Sequence, residues 1–112
     1  MLHPWLLDCA YSLGRVYRSH SDSAPLESES VYSYVRSAHC SWAGYIDRQE
    51  RSIPKASSPA GEARATVCHM LDAAMVRVEQ AKQLGEPLDR GALHCEIAAA
   101  LAALFQYMAA IL

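Results

Sequence analysis

Apolar residues recur at intervals of three and four along four stretches of the chain, the spacing that lines up one face of an α-helix. The first stretch offers Leu2, Leu6, Cys9, Ala10, Leu13 and Tyr17, and the second Val31, Val35, Ala38, Trp42, Tyr45 and Ile46. The third gives Ala63, Val67, Met70, Leu71, Ala74, Val78 and Ala81, and the fourth Leu93, Ile97, Ala100, Leu101, Leu104, Met108 and Ile111. No stretch shows the two-residue alternation of a strand. Between them lie "SHSDSAPLES" at 19–28, "SIPKASSPAG" at 52–61 and "GEPLDRG" at 85–91, rich in the residues that make turns. Helix marks sit at their edges. Pro4 suits a first turn, Ser58 can cap with Pro59 following, Gly85 suits a left-handed stop, and Asp89 can cap the last helix. The pattern predicts an all-α protein with helices over 4–19, 26–51, 59–84 and 90–111, the first being the shortest. Short connections force neighbours to run antiparallel, so the expected architecture is an up-down four-helix bundle in a single domain spanning 1–112.

The faces opposite these stripes alter the picture. On the second segment the far side carries Ser33, Ser37, Cys40, Ser41 and Gly44, all small enough to let another helix come close. On the fourth it carries Cys95, Ala99, Ala102, Gln106 and Ala109, again without charge. A helix that is apolar all round is normally buried all round, and a four-helix monomer covers only one side of each. These ten residues are therefore the expected interface of a homodimer or of a complex with a partner protein.

Composition narrows the function classes. The chain has 112 residues, 52% of them hydrophobic and 20% charged, which fits one folded core and excludes wholesale disorder. The formal charge is -2 with the signs interspersed, so counterion release gives little reason to expect nucleic-acid binding. Arg48, Arg51 and Lys55 are diluted by Asp47 and Glu50 and read as a solvated helix end. The start, "MLHPWLLDCAYSL", has Asp8 inside its apolar run and no cation before it, so it does not fit an export signal. The uncharged run Ile97 to Leu112 would span only about 24 Å and is mostly Ala, which favours a core helix over a membrane anchor. A cytoplasmic protein with reduced thiols is the expectation.

Candidate chemistry starts from histidine–cysteine doublets at His39–Cys40, Cys68–His69 and His94–Cys95. Random placement of the 5 His and 4 Cys would give about a third of one doublet, which raises the question of a metal or redox site. Helical geometry answers most of it. Adjacent residues point about 100° apart, so a doublet cannot aim both members into one core. Cys9 is expected in the core, Cys40, Cys95 and His69 outside, and His39, His94 and Cys68 on flanks. Cys95 also falls on the order of 20 Å along the axis from the other thiols, so a four-thiol cluster is excluded. The remaining metal- or small-molecule-binding alternative uses His39, Cys40, Cys68 and His69, whose heights differ by about 8 Å.

Other motifs fail on spacing. "HCE" at 94–96 matches half of a zinc deaminase motif, but no P-C-x-x-C follows. No Glu has a His three residues later, as a di-iron bundle would need, and no nucleophile elbow or phosphate-cradling glycine run appears. Asp8, Asp47, Asp72 and Glu79 lie on polar faces, and Trp5, Trp42 and Tyr45 read as core aromatics that could also wall a pocket. The resulting expectation is a non-enzymatic interaction module without a cofactor: an adaptor, secretion-type chaperone, regulator or inhibitor of a larger protein, with neither nucleic acid nor membrane as partner.

Overall fold

The computed structural model of the chain describes residues 2–49 and 53–112. It contains α1 (Pro4–Ser19), α2 (Ser28–Asp47), α3 (Pro59–Leu84) and α4 (Arg90–Ile111), and no strand among the described residues. Three helices begin where a side chain can satisfy a free backbone N–H. His3 Nδ1 accepts from the Trp5 N–H at 3.1 Å ahead of Pro4. Ser58 Oγ accepts from Gly61 N–H at 3.0 Å ahead of Pro59, and Asp89 Oδ1 accepts from Ala92 N–H at 3.0 Å. Gly85 ends α3 at φ 63°, a left-handed conformation that glycine adopts without strain. α2 lacks such marks. Glu27 makes no side-chain cap, so the helix starts at Ser28 rather than 26 and ends at Asp47. The last two residues of the range expected for it, 50 and 51, lie outside the described residues.

Each helix packs on two neighbours in the ring order α1, α2, α3, α4 and back to α1. From α1 to α2 and from α2 to α3, rising numbers on one helix meet falling numbers on the next. Trp5 sits on Gly44 and Tyr11 meets Tyr34; Cys68 meets Trp42 and Lys82 meets Glu29; His20 and Tyr17 meet His94. The bundle has a radius of gyration of 14.0 Å, close to the roughly 13 Å of a folded chain this long.

One core unites all four helices, with Leu6, Cys9, Leu13, Val35, Ala38, Val67, Ala74, Ile97, Ala100, Leu104 and Tyr107 fully buried. Three core expectations are corrected. Tyr17 is exposed and stacks on His94, while Ser12, Val16 and Ser19 turn inward on α1. On α4 the buried stripe runs through Ala103 and Tyr107, so Leu101 is only half-buried and Ile111 is exposed. The cause is the composition of α4. Apolar on every side, it gives the pattern little means of choosing a face, and packing against α3 and α1 settles the rotation. By length and hydropathy α4 could cross a membrane; here Leu93, Ile97, Leu104 and Met108 lie in the bundle core.

Candidate functional site

Leu101 and Phe105, at the edge of the second face of α4, and the outer face of α1 make one largely apolar surface. Leu7 and Tyr11 of α1 and Phe105 of α4 are each more than half exposed, at 51%, 60% and 55%. With Gly14, Tyr17 and Leu101 they line a shallow groove between the two helices. A Cβ at Gly14 would meet nothing within 4 Å, so the groove is open above that residue. Leu7, Tyr11, Gly14 and Arg18 follow the helical repeat, which places them in one row along α1.

The ten residues expected at an interface divide between two places. Cys95, Ala102, Gln106 and Ala109 are exposed on α4 and Ala99 is half-buried beside them. On α2, Ser33, Ser37 and Cys40 are exposed, while Ser41 and Gly44 are half-buried. Gly44 is filled from within the chain. A Cβ there would come within 2.7 Å of Trp5 Cζ3, so its lack of a side chain seats the indole. The small row on α2 thus serves α1 of the same chain at its C-terminal end. The contribution of Leu7 and Tyr11 escaped the sequence reading, and their four-residue spacing on the polar side of α1 was the signal that carried it.

The doublet residues have separate partners. His39 Nε2 lies 2.9 Å from Asp72 Oδ1, and Cys68 Sγ accepts the Trp42 indole N–H at 3.2 Å. Cys40 and His69 are exposed. No group of three or more His, Cys, Asp and Glu side chains converges among the described residues, so the four do not form one site. Cys9 is buried, and burial pushes its thiol up to about 12, away from thiolate chemistry.

No protein-family model, curated protein or solved structure matches the chain.

Of the aromatic residues expected in the core or around a pocket, Trp42 and Tyr45 are core. Trp42 and Tyr45 stack at 5.7 Å, and Tyr107 meets both edge-on. The Tyr107 hydroxyl donates to Gln49 Oε1 at 3.0 Å and accepts from Tyr45 at 2.7 Å, so each hydroxyl in this buried chain has a partner. Burial and the Tyr107 hydroxyl together hold the Tyr45 phenol well above its ordinary range. Arg48 caps the outer face of Trp5, with its guanidinium carbon 4.7 Å from the ring centre.

At the other end of the bundle His94 is stacked between Tyr17 and His20, at 4.8 and 4.1 Å. Partial burial, with His20 alongside, lowers its pKa from 6.5. The outer groove of α3 and α4 is polar, with Arg77 bridging to Glu96 at 2.6 Å and with Asp72, Glu86 and Asp89 nearby.

Proposed function

We propose that the chain is a non-enzymatic protein–protein interaction module of the cytoplasm, which self-associates through the apolar surface over α1 and α4 and acts on a larger partner protein. The observation that carries this reading is the exposure of Leu7, Tyr11 and Phe105 on adjacent helices. Contiguous apolar surface of this kind marks contact sites more often than scattered single residues do. Adaptor, secretion-type chaperone, regulator and inhibitor are the roles that such a surface serves without a catalytic centre.

A second copy is the occupant the surface suits. A two-fold axis brings the same patch from both copies together, and the α1 row is self-complementary in that arrangement. With two α1 helices antiparallel, Tyr11 of each lies over Gly14 of the other, and Asp8 at one end approaches Arg18 at the other.

Sedimentation equilibrium over a wide concentration range tests this. The expected result is a concentration-dependent dimer that Phe105→Glu and Ala102→Glu convert to a monomer of unchanged helical content. A strict monomer at the highest concentration, or a dimer indifferent to both substitutions, overturns the reading.

A further inference from the structure

Where α1 ends and α4 begins, the bundle holds a cavity of about 210 Å³. Val16, Val31 and Leu93 form its floor, each exposed by 6% or less. Pro25 closes one side, on a loop tied down because buried Ser19 Oγ accepts the Leu26 N–H at 2.8 Å. At the mouth stand Arg90, His20 and His94, and no carboxylate lines it. The Arg90 guanidinium reaches Ser28 Oγ at 3.4 Å and makes no ion pair among the described residues. His94 Nδ1 is buried without a hydrogen-bond partner. Its ring, stacked between Tyr17 and His20, forms part of the cavity wall.

We propose that this cavity binds a small organic monoanion, a carboxylate carried on an apolar ring or short chain. The apolar body rests on Val16, Val31 and Leu93, and the carboxylate takes the Arg90 guanidinium. Size and charge both select this class. A dry cavity of about 150 Å³ holds one benzene ring, so the space here takes a six-membered ring with its carboxylate. The guanidinium fork matches a carboxylate in two parallel hydrogen bonds. Inorganic phosphate would leave the floor uncovered, and an uncharged alcohol would leave Arg90 unmatched. The site lies at one end of the bundle, where Tyr17 of the α1 and α4 groove also stacks on His94.

The test is a titration of the full chain with benzoate, followed by the methyl resonances of Val16, Val31 and Leu93. Saturable shifts at these methyls are expected, with benzyl alcohol and inorganic phosphate each weaker by about tenfold or more. Arg90→Gln, at a half-buried position in the first turn of α4, should weaken benzoate by about tenfold with the helical circular dichroism unchanged. Benzoate should also raise the unfolding midpoint of the parent chain and not that of Arg90→Gln. Absence of saturable shifts overturns the proposal. So does equal binding of benzyl alcohol or of phosphate, or benzoate affinity unchanged in the folded Arg90→Gln variant.

Discussion

At the end of the bundle where α2 and α4 stop, Tyr45 donates to Tyr107 and Tyr107 to Gln49, while Trp5 is seated on Gly44 beneath Arg48. At the opposite end Tyr17, His94 and His20 are stacked just as closely, yet His94 Nδ1 has no partner and a cavity remains below the rings. Both ends use aromatic rings to close a helical barrel of side chains. The difference lies in the polar atoms the rings carry. A phenol hydroxyl can rotate and both donate and accept, so three groups on two helices and a following turn complete a chain. An imidazole held flat between two rings has its nitrogens fixed in direction, and a nitrogen that meets nothing stays unmatched. The first end is filled by its own side chains and the second retains a cavity.

Removing the Tyr107 ring should break the comparison most severely. Tyr107→Ala is expected to cost about 3–5 kcal/mol in urea denaturation, because it opens a cavity among Trp42, Tyr45 and Leu104. Tyr107→Phe keeps the ring and strands the Tyr45 hydroxyl, for a loss of about 1–3 kcal/mol. If the phenylalanine variant is as stable as the parent, the hydroxyl chain contributes nothing.

Next in size are two glycines that should move in opposite directions. Gly44→Ala drives Trp5 off its seat and away from Arg48, with an expected loss of about 1 kcal/mol and a red-shifted tryptophan emission. Gly14→Ala meets no neighbour within one copy and should add up to about 1 kcal/mol by helix propensity. In a dimer that seats Tyr11 on Gly14, the same alanine should weaken association, so stability and dimer affinity would separate.

Ser19→Ala leaves the Leu26 N–H without its acceptor and should cost about 1 kcal/mol, with faster amide exchange confined to the loop at 20–27. The smallest effect concerns pH. The folded state lowers the His94 pKa below 6.5, so on acidification the unfolded chain takes up this proton first. Stability should therefore fall as pH drops through and below about 6.5, and His94→Phe should flatten that part of the profile. The groups facing His94 are His20 and Tyr17 of the α1 end and Arg90 of its own helix, and none of them is an anion that would reverse the sign.

Helix limits were legible wherever a residue has a specific chemical reason to stop or start a helix. Ser58 with Pro59, Gly85 and Asp89 placed α3 and α4 to the residue, whereas α2, with Glu27 making no side-chain cap, was drawn too long. Faces were legible where polar and apolar sides differ. α1 and α2 carry that contrast, and Cys9, Val35 and Trp42 lie inside as expected. α4 does not, and its pattern put Leu101 and Ile111 where Ala103 and Tyr107 belong. The doublets were the most visible local feature, and they resolve into unrelated partners because adjacent helical residues diverge. Both candidate surfaces depend on residues from different helices: Leu7 and Phe105 in one, Val31 and His94 in the other. Periodicity within a helix is silent about which residues of another helix will stand beside it.

The four cysteines give the molecule a clock. Cys40 and Cys95 stand in solvent and Cys68 is half-covered, but Cys9 is sealed among Leu6, Leu13 and the other core side chains. A thiol reagent has to wait for the bundle to open before it reaches Cys9. In a chain whose other cysteines are replaced by serine or alanine, the rate of that single modification would count the excursions of the native state toward unfolding, without denaturant and at any temperature.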